Sequence, residues 1–449
     1  MGRLFGTDGI RGIVNSELTC ELALDVGRAT AIVLTEGKTQ RPRIVIGKDT
    51  RISSDMLENA LTAGLCSIGA DVLMLGIVPT PAVAFLVKKY KADAGIMISA
   101  SHNPYEFNGI KIFSSDGYKL PDDVEDKIEE IILDKKVEMR YPQGKDIGKV
   151  TYAKNAVNDY VEHIKSTLNI DLQGIRVALD CSNGSASRTA KELFEGLGAE
   201  CYMLFDEPNG ININDNCGST HMNSLVEYVK SHQLDAGIAF DGDADRCLAV
   251  DENGNIIDGD FIMAICAKDL KTRGKLKKDT VVGTIMTNMG FNSFCDKNDL
   301  KFVSTKVGDR YVLEDMLRED YNFGGEQSGH VIFLDYTTTG DGQLTAAQLL
   351  SIIKSKREKL SSLAKVMKRY PQVMVNVKIN SDSKILFYTD EEIKRKISYV
   401  KDQLGSGGRI LVRVSGTEPL IRVMLEGEDY NKITAFADEV ASLIKQRLC

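Results

Sequence analysis

The strongest constraint on the fold of this chain is a rhythm near its start. "RIVIGKDT" is a short β-rich run, "SSDMLENALTAGLCSIGA" follows with serines at its start and apolar residues at helical spacing, and "DVLMLGIVPT" returns to an apolar run. Strand, helix and strand in that order imply parallel strands covered by helices, because a parallel pair needs a crossover connection. Similar units begin at "IRVALDCSNGSA" and "DTVVGTIMTNMGF", each an apolar run entering a small-residue turn. Three α/β regions of similar size are therefore expected. After Pro371 the rhythm changes. "VMVNVKI" and "RILVRVSGTEPLIRVMLEG" read as strands, while "TDEEIKRKISYVKDQLG" and the C-terminal segment read as helices, which predicts a small α+β domain with an antiparallel sheet. A chain of 449 residues exceeds what one core supports. The expected domains are 1–153, 154–258, 259–370 and 371–449, packed around a cleft.

Composition removes several classes of function. The formal net charge is −8 and the pI about 5.4, so no basic surface invites nucleic acid or anionic lipid. No apolar run approaches the ~18 residues of a membrane span, and "MGRLFGTDGIRG" shows no secretory signal. Nine cysteines, none in a Cys-x-x-Cys pair, fit reduced thiols, and five histidines make a histidine-rich metal site a poor expectation. A cytoplasmic location is expected.

Four polar loops interrupt apolar strands. In "GIMISASHNPYEFNGIKIF", a buried-looking strand ends at Ser99, Ala100, Ser101 and His102 before Pro104, and a second strand resumes after Asn108. A small nucleophile is held at a strand end. In "AGIAFDGDADRCLAVDENG", Asp241, Asp243 and Asp245 stand two apart, with Arg246 next. Carboxylates this dense repel unless a cation is present, and hard divalent ions prefer oxygen ligands. An EF-hand would need glycine at Arg246 and helical flanks, and has neither. Asp241 as an aspartyl-phosphate nucleophile is chemically sound but leaves the serine loop unexplained.

"NFGGEQSGHVIF" sets Glu326, Ser328 and His330 among glycines, a pattern suited to a structural turn or to gripping neighbouring sugar hydroxyls. In "RVSGTEPLIRV", Arg413 and Arg422 bracket Ser415, Gly416 and Thr417, an arrangement suited to cradling a phosphate. A nucleophile, a metal loop, a hydroxyl-reading loop and a separate phosphate anchor suggest phosphoryl transfer on a phosphosugar that keeps one phosphate while exchanging another.

These four motifs, in this order and together with "FGTDGIRG", resemble those of the α-D-phosphohexomutases over essentially the whole chain. The resemblance implies three related α/β domains and a smaller C-terminal α+β domain around a central cleft. "GTDGIRG", "VGDRYV" and Gln327 resemble the branch that interconverts glucosamine 6-phosphate and glucosamine 1-phosphate on the way to UDP-N-acetylglucosamine. Enzymes of the glucose and mannose phosphate branch tend to carry histidine where Asp309 stands and Met or Asn where Gln327 stands. That branch, and a disabled phosphosugar-binding regulator of the same fold, are the competing readings.

The resemblance also implies roles. Ser101 would be the phosphoserine, donating its phosphate to give a hexosamine 1,6-bisphosphate and then recovering the other one. Mg²⁺, one per chain, would be held by Asp241, Asp243, Asp245 and a Ser101 phosphate oxygen. Arg246 and Arg11 would add positive charge, Lys111 would be the acid/base partner, and His102 would orient the loop. Glu326 and Ser328 would grip the sugar, with Asp309 also in the substrate site. His330 would touch the ring or move a proton, or else be a packed histidine. Arg413, Ser415, Gly416, Thr417 and Arg422 would hold the non-reacting phosphate. A hexosamine or hexose 1,6-bisphosphate would prime Ser101, and a homodimer is an expected assembly.

Overall fold

The computed structural model describes residues 2–6, 8–35, 41–135, 137, 139–380, 384–414 and 420–448. It divides into two compact units, Met1–Met286 with Leu300–Val366, and Thr287–Asp299 with Met367–Cys449.

The first unit contains three sheets. The six-stranded sheet runs, in spatial order, Ile10–Ile13, Phe107–Ser114, Ala94–Ile98, Arg43–Lys48, Asp71–Ile77 and Val150–Tyr152. Arg43–Lys48 pairs in parallel with both Asp71–Ile77 and Ala94–Ile98, as the opening rhythm requires. Helices Cys20–Thr35 and Ser54–Ser67 approach closely at glycines: a Cβ at Gly64 would lie 2.1 Å from Leu24 O. Ile44, Ile46, Leu57, Leu61, Leu65, Ile96 and Ile110 form the core beneath them. Each such buried side chain contributes about 1.5–3 kcal/mol.

The second sheet orders Ile256–Ile257, Cys247–Asp251, Ala236–Phe240, Arg176–Asp180 and Glu200–Leu204, and the third orders Lys301–Thr305, Thr280–Thr284, Phe323–Gly325 and Val331–Phe333. All three sheets share one device. A strand paired in parallel with its neighbour is followed by an antiparallel return strand: Ala94–Ile98 by Phe107–Ser114, Ala236–Phe240 by Cys247–Asp251, and Phe323–Gly325 by Val331–Phe333. The return turns carry Ser101, the three aspartates, and Glu326 to His330. Three weakly similar sequences thus place their polar loops at equivalent points.

The second unit is the expected antiparallel sheet, with Leu420–Gly427 between Gln372–Lys378 and Gly408–Val414. Ile393 and Val400 of helix Glu391–Leu404 and Ile433, Val440 and Ile444 of helix Tyr430–Leu448 pack with Ile421, Val423 and Leu425. Helix Met289–Lys297 groups with this unit, although in sequence it lies between two strands of the third sheet. Asn288 explains the attachment: its side chain donates to Tyr370 O and accepts from Tyr370 N, both at 3.0 Å.

Candidate active site

Ser101 follows the buried strand Ala94–Ile98 and has φ +53°, a left-handed conformation that costs a non-glycine residue roughly 1–2 kcal/mol. The surrounding bonds account for its persistence. Arg51, fully buried and ion-paired with Asp49 at 2.8 Å, donates to Ser101 O (2.9 Å), Asn103 O (2.8 Å) and Phe107 O (2.9 Å). Asn214 adds bonds to Ser101 O and Asn103 O at 2.9 and 3.0 Å. Ser99 Oγ donates to Asp49 at 2.7 Å and accepts from Ser101 N at 3.0 Å. With its backbone held in this way, Ser101 directs its hydroxyl to Asp241 Oδ2, 2.6 Å away.

Asp241, Asp243 and Asp245 are buried, and one carboxylate oxygen from each lies within 4.8 Å of the others. Burial, then Asp245 and Asp243, push the Asp241 carboxyl well above the usual carboxylate range. Burial also pushes Asp243 upward, but Lys111 (2.7 Å) and the Thr80 hydroxyl (2.6 Å), both on Oδ2, outweigh it and hold Asp243 below its ordinary value. Asp243 Oδ1 and Asp245 Oδ1 are buried without a hydrogen-bond partner. Three convergent oxygen donors with two unpartnered buried oxygens fit a hard divalent cation.

Arg246 returns to this loop, its N–H donating to Asp241 Oδ1 at 3.1 Å. Its guanidinium donates to His102 Nδ1 at 2.9 Å, so that nitrogen is the acceptor and the ring is neutral there. Burial, then Arg246 and Arg11, lower the His102 pKa to about 4. Its Nδ1 is 3.5 Å from Ser101 Oγ, so His102 borders the serine while anchored to Arg246.

A ladder of alternating charge links the loops. Lys111 is buried and also contacts Asp8 (3.0 Å) and Asp245 (3.5 Å). Burial alone would lower its pKa, but Asp243, Asp8 and Asp245 raise it well above the ordinary lysine value and keep the ammonium charged. Asp8 further pairs with Arg11 and Lys119. Lys119 reaches Asp309 Oδ2 at 2.5 Å, and that oxygen is 3.5 Å from His330 Nε2. Burial pushes Asp309 up, yet Lys119 and His330 hold it below the usual carboxylate range. His330 is 2% exposed, a packed histidine, and neither ring nitrogen makes a hydrogen bond to backbone. Glu326 accepts from Gly308 N at 3.1 Å and its carboxyl is raised by burial, while Ser328 is exposed at the turn.

In the second unit, Arg413 and Arg422 stand directly opposite each other across the antiparallel pair. Burial, and then the Arg422 charge, lower the Arg413 pKa. Like charges in register repel, and a bound anion would relieve them. Ser415, Gly416 and Thr417 lie outside the described residues.

The structure thus gathers Ser101, His102, Arg11, Lys111, Arg246, the three aspartates, Asp309 and His330 through direct contacts, and sets Glu326 and Ser328 on the turn leading to His330. Sequence reading missed Asp8, Asp49, Arg51, Lys119 and Asn214. Asp49 and Arg51 had a usable signal, the charged "KDTR" directly after an apolar strand. Asp8 sits inside "GTDGIRG", a stretch used above only for its likeness. Among the described residues, no helix is long and apolar enough to cross a membrane.

Sequence profiles for phosphoglucomutase/phosphomannomutase match nearly the whole chain: alpha/beta/alpha domain I at residues 2–139, domain II at 158–254, domain III at 258–370 and the C-terminal domain at 374–443. The chain is 55% identical over 447 residues to a phosphoglucosamine mutase of Clostridium tetani (strain Massachusetts / E88), covering 100% of both. To the phosphoglucosamine mutase of Caldanaerobacter subterraneus subsp. tengcongensis it is 56% identical over 448 residues, again covering 100% of both. A solved phosphoglucomutase/phosphomannomutase family protein from Burkholderia thailandensis shares the fold with a TM-score of 0.83 at 24% identity, covering 99% of this chain and 97% of that one. The N-acetylphosphoglucosamine mutase of Aspergillus fumigatus, solved with GlcNAc-6P and magnesium, gives 0.66 at 18% identity, covering 99% and 95%.

Proposed function

The chain belongs to the phosphoglucomutase/phosphomannomutase family of α-D-phosphohexomutases, and we infer that it is an isomerase interconverting glucosamine 6-phosphate and glucosamine 1-phosphate. Full-length relatives above 50% identity bear the corresponding name. The observation that carries the chemistry is the Ser101 hydroxyl, fixed at a strand end 2.6 Å from a buried acidic triad.

In this reading Ser101 carries a phosphate, passes it to the sugar to form a hexosamine 1,6-bisphosphate, and takes back the phosphate from the other end. Asp241, Asp243 and Asp245, with a phosphate oxygen on Ser101, hold Mg²⁺, which when bound supplies positive charge at the transferring phosphoryl group. Arg246 and Arg11 add fixed positive charge there. Lys111 serves the sugar oxygen as acid/base partner, and its three carboxylate neighbours set its charge. His102 orients the serine loop through Arg246.

Glu326 and Ser328 grip the sugar hydroxyls in both orientations. Asp309 and His330, paired at 3.5 Å, stand beside the same site. Arg413 and Arg422, with Ser415, Gly416 and Thr417, hold the phosphate that is not reacting. A hexosamine or hexose 1,6-bisphosphate primes Ser101. The proposal includes domain boundaries near 153, 258 and 370, a homodimer and a cytoplasmic location. Strand Val150–Tyr152, which joins the first sheet, supports the first boundary, and the Asp258 cap at the start of helix Gly259–Thr272 supports the second.

The test is a rate comparison on primed enzyme with Mg²⁺, following 1-phosphate formation from glucosamine, glucose and mannose 6-phosphates by phosphorus NMR. kcat/KM should be highest for the amino sugar. A higher value for glucose or mannose phosphate would move the assignment to a hexose mutase, and no turnover on any of them with Ser101 phosphorylated would leave a regulator.

A further inference from the structure

The turn that carries Glu326 and Ser328 is gripped from behind by a segment with no role in the account above. Gly259 N–H donates to Gln327 O at 2.9 Å, and the Gln327 side-chain amide donates to Asp260 Oδ2 at 3.0 Å. The approach at Gly259 leaves no room for a side chain, since a Cβ there would lie 2.1 Å from Glu326 O. Asp260 is fully buried in the first turn of helix Gly259–Thr272, where the helix N-terminus favours a negative charge.

On its other side the turn is tied to the metal loop, because Cys247 N, next to Arg246, donates to Gly329 O at 3.0 Å. Within the turn, Glu326 N donates to His330 O and Gly329 N to Glu326 O. The backbone is therefore fixed at its two ends and, between Glu326 and Ser328, by the Gly259 bond to Gln327 O, to which the Gln327 side chain adds its tether to Asp260. Two groups that must read neighbouring hydroxyls need a constant spacing, and a tether between them on a rigid helix supplies it.

We propose that Asp260 is a positioning residue for sugar recognition, acting through Gln327 on the turn that presents Glu326 and Ser328. The inference rests on the mutase reading and names a residue on which that site depends. Its readout is the division between KM and kcat. Asp260→Ala should raise KM for the 6-phosphate and for the 1-phosphate by ~10-fold each, the order of one lost hydrogen bond to a charged group, with kcat changed less than KM. Asp260→Asn should restore most of the loss, because its amide oxygen accepts the same bond. Gln327→Ala should match Asp260→Ala, and the double variant should be no worse than either alone.

Unchanged KM in both directions, losses that add in the double variant, or Asp260→Asn as damaging as Asp260→Ala would overturn the proposal. If Asp260→Ala does not fold, half-buried Gln327→Ala carries the test, and normal KM in that variant would equally overturn it. Wild-type turnover of glucosamine 6-phosphate is measured alongside. Its absence would defeat the functional reading, and the variant ratios would then be taken on whichever hexose phosphate the enzyme accepts.

Discussion

Two places in this molecule force like charges together, and they do so differently. In the first unit Asp241, Asp243 and Asp245 converge in full burial, cross-linked to Lys111, Arg246, Thr80 and Ser101. In the second, Arg413 and Arg422 face each other across a strand pair and are only partly buried. The acidic site is largely built before any ligand arrives, its negative charge partly met by fixed cations. The basic pair sets two guanidiniums in register on one strand pair, an arrangement that attracts an anion. One arrangement suits a permanent centre of chemistry and the other suits a receptor for something that comes and goes.

The contrast can be broken at either end. The largest effect belongs to Ser101→Ala, which should lower turnover by at least ~10⁴-fold and abolish phosphorylation by the bisphosphate while leaving circular dichroism unchanged. Appreciable turnover in that variant would end the shuttle. Next, Asp243→Asn should leave the buried Lys111 ammonium short of its nearest partner and cost about 3–5 kcal/mol in urea unfolding, together with divalent-metal affinity by calorimetry. A variant as stable as wild type would show that the ladder is not a prebuilt structure.

Arg422→Ala should behave oppositely. Substrate binding should weaken by ~1.5–3 kcal/mol, read as a raised KM in both directions. Urea unfolding of the unliganded protein is measured alongside. Destabilisation without a change in KM would mean that the pair is structural.

A further effect concerns pH. In the first unit, burial raises the Asp341 carboxyl from its ordinary 3.8 to about 7, although its bonds from Leu344 N and Tyr160 oppose the rise and Asp245 adds to it. A raised carboxyl holds its proton more tightly when folded, so its contribution to stability is full below pH 3.8 and is lost as pH climbs toward 7. Asp341→Asn keeps the helix cap and should flatten that decline. Thermal unfolding from pH 4 to pH 7 measures it, and parallel slopes would place the pH dependence elsewhere.

The sequence made much of this legible for a physical reason. Ser101, the three aspartates and Glu326 each interrupt an apolar strand, and a polar loop between two buried strands has few reasons to exist besides chemistry. The groups that hold those loops were harder to see. Arg51 and Asn214 act on the carbonyl of Ser101 from 50 and 113 positions away, and a bond to backbone leaves no motif behind. Lys119 and Asp309 are 190 residues apart and meet only once the first and third sheets are packed. The opposition of Arg413 and Arg422 depends on hairpin register, which the composition of the intervening turn does not define. The allegiance of helix Met289–Lys297 is set by Asn288 bonding to Tyr370 and Glu426, contacts that no local periodicity reports.

The anchoring of the Ser101 loop has a consequence for timing. Arg51 and Asn214 grasp carbonyl oxygens, whereas the serine hydroxyl bonds to Asp241 on the neighbouring loop. Loading a phosphate on the hydroxyl would alter the outermost atoms of the loop and would leave the bonds to its carbonyls unaddressed. On the proposed reading, a serine that changes cargo every turnover would need no rebuilding of its loop between cycles.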